Sequence, residues 1–209
     1  MMSPPSPPPS DEDDDASPPS SSPQFPAGQI PGEFSYDIKV PKDRIAVLIG
    51  VEGAMKAELE QETGCRINID SEEGDVTLMG KDALNLYILR EVIKAIARGF
   101  NPDIAKLLLK QNYLLEIIAL ADYSRDTNHQ ARLKGRVIGS NGKSRKTIEE
   151  LTGSYICVYG KTIAILGSAE TITFAKRAVE SLLNGSPHAV VYKWLEKQRR
   201  ELKKRAVEE

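Results

Sequence analysis

The chain has 209 residues, 40% hydrophobic and 28% charged, with a formal net charge of −2 at neutral pH. That length admits one or two domains, and no apolar run approaches the roughly 20 residues that a membrane-spanning helix needs. The two cysteines and two histidines stand at spacings that suit neither a disulfide framework nor a metal site.

Ten of the thirteen prolines fall in residues 1–32, among serines and the acidic run from Asp11 to Asp15. Such a segment has too little apolar surface to offset its ordering entropy, so residues 1–33 are expected to be a disordered tail. Lacking a basic start and an apolar centre, it does not read as a signal peptide. Its acids suit a solvated tail, RNA mimicry or a partner contact.

From residue 34 the periodicity becomes regular. Tyr36, Ile38 and Val40 alternate as a strand does. Helices are predicted over Lys42–Ile49 and Ala54–Thr63, the second closed by Gly64. A hairpin follows, Arg66–Asp70 and Asp75–Met79, around the turn Ser71 to Gly74. Then comes a long helix, Asp82–Arg98, with Leu84, Ile88, Val92 and Ile96 along one stripe. Pro102 suits the first turn of a short helix over Asp103–Lys110. With no glycine-serine linker there, the two halves are expected to pack as a rigid pair.

The same order then recurs: strand Leu114–Leu120, helices His129–Ile138 and Lys143–Leu151, strands Tyr155–Tyr159 and Thr162–Leu166, and helix Ala169–Leu183. Val47 to Gly53 lies over Arg136 to Gly142 at an offset of 89, which also places Glu60 on Glu149, Thr63 on Thr152, Gly64 on Gly153 and Ile67 on Ile156. After a hairpin two residues shorter, Gly80 meets Gly167 and Tyr87 meets Phe174, and Phe174, Ala178 and Leu182 are expected to face inward. One supersecondary unit is used twice. A last helix opens at Pro187 and runs to about Arg205. Val190, Val191, Trp194 and Leu195 can dock it, with Trp194 a packing anchor, while its basic end suits either RNA phosphates or solvent.

Each copy contains a glycine-x-x-glycine loop between two helices: Gly50-Val51-Glu52-Gly53 and Gly139-Ser140-Asn141-Gly142. A nucleotide-phosphate loop would need a glycine where Val137 stands. The remaining reading is the backbone clamp of KH-type RNA-binding modules. The predicted fold is therefore α+β, two tandem type I KH domains of β-α-α-β-β-α order packed together: tail 1–33, first KH domain 34–100, helical linker 101–112, second KH domain 113–186, and basic C-terminal helix 187–209.

The copies differ in charge. Residues 34–100 carry nine bases and twelve acids, while residues 122–186 carry ten bases and six acids. A polyanion is drawn to the second copy. Its candidate RNA-binding residues are Arg136, Val137, Ile138, Gly139, Ser140, Asn141, Gly142, Lys143, Arg145, Lys146 and Ile156, with Val158 also in the groove floor. Lys42, Arg44, Gly50, Gly53 and Lys56 form a weaker set, because Glu52 would face a phosphate directly. No catalytic residue, cofactor, metal or small-molecule substrate is expected, and the cysteines read as strand residues of a reducing cytoplasm.

The doubled loops, Lys143 to Glu149, the strand Thr162 to Gly167 and the junction Leu183-Asn184-Gly185-Ser186-Pro187 resemble the archaeal branch of the partner-of-Nob family, also called Dim-two. These are tandem-KH ribosomal RNA-processing proteins related to the Krr factors. The resemblance covers about residues 34–200. It implies binding near the 3′ end of small-subunit ribosomal RNA, and work with a Nob-type endonuclease and other assembly factors. A rival reading is a protein scaffold in subunit assembly or translation initiation whose RNA contact is incidental.

Overall fold

The structure, a computed structural model, describes residues 32–208, with side chains as far as Arg205. All but the last two residues of the expected tail lie outside the described residues. The first repeat runs β1 (Phe34–Lys39), α1 (Lys42–Ile49), α2 (Ala54–Thr63), β2 (Arg66–Asp70), β3 (Asp75–Gly80) and α3 (Ala83–Ala97). A short α4 (Pro102–Ala105) and a 3-10 turn (Lys106–Leu109) connect it to the second repeat. This runs β4 (Tyr113–Ala119), α5 (Thr127–Ile138), α6 (Lys143–Thr152), β5 (Tyr155–Tyr159), β6 (Thr162–Ser168) and α7 (Ile172–Leu183), followed by α8 (His188–Glu208). Each repeat has one antiparallel sheet, in the orders β1-β3-β2 and β4-β6-β5. Two type I KH domains result.

The repeated residues do the same work in both copies. Gly64 and Gly153 close α2 and α6 in the left-handed conformation, both at φ 66°, donating N–H to the carbonyls of Glu60 (2.9 Å) and Glu149 (2.8 Å). The side chains of those two glutamates then accept from the second residue of the strand that follows, Ile67 N–H and Ile156 N–H, each at 2.7 Å. One residue thus ties a helix end to a strand start, twice, at a separation of 89 positions.

The sheets differ in what covers their outer faces. In β3 the residues alternate, Val76 and Leu78 buried and Asp75 exposed, because the outer face is solvated. There Thr77 donates to Asp37 (2.8 Å) and Lys39 pairs with Asp75 (3.1 Å). In β6, Ile163 through Gly167 are all buried, a continuous apolar run with neighbours on both faces. Ile163 and Ile165 join Leu133, Val137, Ile148 and Val179 beneath the helices of the second repeat. Ala164 and Leu166 face the other way, into the core of the first repeat with Ile96, Phe100 and Ala105, and Leu115 and Ile117 pack beside them. The expected packed pair is therefore formed by the first repeat's helices lying on the second repeat's sheet. Tyr159 O–H donates to Asp43 across that junction at 2.6 Å. Gly99 approaches so closely that a Cβ there would stand 2.8 Å from Cys157 Sγ. Burial pushes the thiols of both Cys65 and Cys157 up.

Four expectations need correction. The buried stripe of α3 is Leu86, Leu89, Val92, Ile93 and Ile96, whereas Leu84 is 63% exposed. A helix touching two sheets is apolar on more than one flank, so spacing from Leu84 picks the wrong one. Second, Tyr87 is not the counterpart of Phe174. The buried positions of α3 and α7 align at an offset of 86, which pairs Ile88 with Phe174, because the turns before the two helices differ in length. Third, the linker is a single helical turn and a 3-10 turn, capped by Asn101, whose Oδ1 accepts from Asp103 N–H at 3.1 Å, because the chain must swing into β4. Fourth, α7 begins at Ile172, β6 having extended to Ser168.

Candidate nucleic-acid interface

Helix α5 starts on Asp126, whose carboxylate accepts from Asn128 and His129 N–H at 3.1 Å each, and it ends at Gly139. Gly139 stands at φ 73°, and a Cβ there would lie 2.6 Å from the Cβ of Ser144, so only glycine lets α5 and α6 meet. Ser140 to Gly142 form a 3-10 turn with Asn141 left-handed at φ 54°, ψ 29°. Gly142, at φ 75°, has nothing within 4 Å of where its Cβ would be. The corner is bare on the outside. Ser140, Asn141, Lys143 and Lys146 are exposed, and no side chain caps the start of α6. Unpaired N–H groups and Lys143, Arg145 and Lys146 therefore share one helix N-terminus, a natural seat for a phosphate. Arg145 lies 3.7 Å from Glu149, a loose pair.

The first repeat builds the same corner with other chemistry. Gly50 (φ 76°), Glu52 (φ 52°, ψ 24°) and Gly53 (φ 81°) repeat the second loop's backbone within a few degrees. Yet Val51, 83% exposed, and Glu52 stand where Ser140 and Asn141 do, so a carboxylate occupies the tip. Lys56 follows the loop on α2 and is half-buried, while Lys42 stands exposed at the opposite end of α1 from the loop. Glutamate is also a poor occupant of left-handed backbone. Glu52→Gly should raise stability by about 0.5–1 kcal/mol in urea unfolding, and a loss would contradict the strain.

Several candidate residues have other employment. Arg136 Nε donates to Leu182 O (2.8 Å) and its NH2 group to Ser186 O (2.6 Å), locking the end of α7. Arg44 does the same for α3, donating to Ile96 O (2.9 Å) and Phe100 O (2.6 Å). Both therefore leave the set of phosphate ligands, because their guanidinium groups serve as helix clamps. Val137 and Ile156 are buried in the core, so they support the groove floor without surfacing in it. Ile138, 36% exposed, and Val158, half-buried, remain accessible.

Sequence reasoning missed Lys134. It lies one turn before Ile138 and donates to Gly160 O at 3.2 Å, bridging α5 to the β5–β6 turn. The available signal was its spacing of three and four residues from Val137 and Ile138, the last helical residues before the glycine loop. Trp194 is the expected packing anchor: it sits edge-on to Phe174 at 6.1 Å, under the Arg177 guanidinium at 4.9 Å. The basic end of α8 projects past Leu151 at the far end of α6, away from the glycine loop. No helix of the described residues is long and apolar enough to cross a membrane.

Residues 114–200 match a family model described as a eukaryotic-type KH domain, type I, and residues 35–95 match a KH-domain model. The chain is 48% identical over 171 residues to the KH domain-containing protein MJ0443 of Methanocaldococcus jannaschii, covering 80% of this chain and 75% of that protein. It is 36% identical over 104 residues to the pre-rRNA-processing protein PNO1 of Candida albicans, spanning 49% of this chain and only 38% of that one. Among solved structures, a chain of the a/eIF2alpha–aDim2p–rRNA complex from Pyrococcus horikoshii OT3 superposes with a TM-score of 0.75 at 43% identity, covering 81% of this chain and 96% of that one. With these relatives and this doubled fold, the chain belongs to the Dim2/PNO1 family of KH-domain proteins.

Proposed function

We propose that the chain is a non-catalytic ribosome-assembly factor that binds single-stranded ribosomal RNA, near the 3′ end of the small subunit, through its second KH domain. One observation carries the reading: Gly142 is open to solvent and leads directly into the uncapped, lysine-flanked start of α6. The RNA backbone leans on Gly139 to Gly142. Ser140 and Asn141 offer donors, while Lys143, Arg145 and Lys146 neutralise phosphates. Bases lie over Ile138 and Val158, with Lys134 at the groove's rim. The first domain, with Glu52 at its tip, grips weakly at most and acts mainly as the second's packing partner.

The solved relative in complex with rRNA supports the RNA partner, and the processing role follows the named activity of PNO1. The working site is the cytoplasm, in keeping with two free thiols, Cys65 buried and Cys157 half-buried. A Nob-type endonuclease, brought to the RNA end that the second domain holds, completes the scheme. That the same complex contains a/eIF2alpha favours a second reading, in which the pair also scaffolds a protein of initiation or assembly.

Salt dependence tests the electrostatic part. With three or four phosphates neutralised, log affinity should fall against log salt with a slope of about −2 to −3, and Lys143→Ala/Lys146→Ala should flatten it by roughly one to one and a half. A slope near zero, or one unmoved by the double variant, would place the RNA elsewhere.

A further inference from the structure

The internal repeat reaches beyond the KH fold. At the offset of 86, Leu86, Leu89, Val92, Ile93 and Ile96 of α3 fall on Ile172, Ala175, Ala178, Val179 and Leu182 of α7, all of them buried. The same count places Asn101 on Pro187, and the turns there agree. Ile104 and Ala105 N–H reach Asn101 O at 3.0 Å, and Val190 and Val191 N–H reach Pro187 O at 3.1 and 3.3 Å. Helix α4 with its 3-10 turn is thus a shortened α8. It ends at Leu109, the counterpart of Leu195, where the chain departs for β4, while α8 continues to Glu208.

What the missing length would cover can be read from the second repeat. There Leu195, Gln198 and Leu202 lie over Phe174 of α7 and Thr171 just before it, leaving a void of only about 10 Å³. On α3 the corresponding residues are Asn85 and Ile88, and they line an open groove of about 500 Å³ that reaches Leu109 and Leu114. Leu84, Tyr87 and Leu114 are 63%, 48% and 47% exposed along it. Apolar side chains left bare in one place in this way mark a docking surface.

We propose that this groove on the first repeat receives an amphipathic helix from a protein partner, laid where the second half of an α8 would lie, with apolar side chains three and four residues apart. Three observations select that occupant. The equivalent face in this same chain is covered by a helix with that spacing. The groove floor is continuous with the interface between the repeats, since Leu108 and Leu115 belong to both. Finally, Lys110 at the mouth makes no ion pair among the described residues, whereas Glu91 opposite is engaged by Lys94 at 3.0 Å. An acidic flank on the incoming helix complements that unspent cation. The groove shares no residue with the loop of the second repeat, so it stands apart from the RNA proposal.

The test titrates the full chain with a synthetic amphipathic peptide of about four helical turns, leucines three and four residues apart and glutamates along one flank, followed by amide chemical shifts. Shifts should centre on Asn85, Ile88, Leu109 and Lys110, and a scrambled peptide should cause none. Leu84→Glu or Leu114→Glu, both at exposed positions, should weaken binding at least tenfold, with RNA affinity unchanged. Lys110→Glu, a pure surface change, should reverse the preference toward a lysine-flanked peptide, which keeps the test decisive if either leucine variant melts early. Equal binding of the scrambled peptide, or shifts spread away from α3, would overturn the proposal. So would concentration-dependent self-association that Leu84→Glu abolishes, because the groove would then belong to a second copy.

Discussion

Changing Ser140 and Asn141 together to aspartate should weaken binding of a single-stranded RNA from the small-subunit 3′ end by about 30- to 150-fold. Two carboxylates placed a few ångströms from a bound phosphate cost about 2–3 kcal/mol in total at a solvated surface. The fold should survive. Both side chains are exposed, and aspartate, like the Asn141 it replaces at φ 54°, tolerates left-handed backbone. The first repeat supplies a natural version of this experiment, because its loop has the same dihedral angles and already carries Glu52. Full affinity in a folded Ser140→Asp/Asn141→Asp variant would remove the loop from the account.

Arg136 should matter for a different reason. Its two short bonds to Leu182 O and Ser186 O are charge-assisted and half-buried. Arg136→Ala leaves carbonyls unpaired at the turn from α7 into α8 and should cost about 2–4 kcal/mol. For a chain of this size that is a fall in Tm of roughly 5–15 °C. Arg136→Lys should recover only part of it, since a single ammonium cannot span two carbonyls as a guanidinium fork does. RNA affinity measured well below the melting transition should change little. A variant that melts like the parent and yet loses RNA would return Arg136 to the phosphate ligands.

How much of this was legible in the sequence depends on the reach of the signal. Caps and turns are local, so Gly64 marked the end of α2, α6 ran one residue past its expected end to Thr152, and the β2 and β5 strands came out to the residue. The glycine loop was equally plain, because left-handed backbone and close helix approach permit few other residues. Tertiary partnership was harder to see. Nothing local distinguishes Arg136, spent on α7, from Lys146, which is exposed. Nothing local distinguishes Leu84, bare at a groove, from Leu86 in the core. The unbroken apolar run of β6 did carry a hint, since a strand apolar on both faces needs cover on both, and the first repeat supplies it.

The central claim is that, of two loops with matching backbone geometry, the second is the one that grips the RNA and the first holds it weakly at most. Amide chemical shifts of the full chain, followed through a titration with the ribosomal 3′-end oligonucleotide, measure this directly. The largest movements should fall on Gly139 to Lys146 and on Lys134, with Gly50 to Lys56 nearly still at saturation of the second domain. Earlier or larger movement across Gly50 to Lys56 would contradict the account.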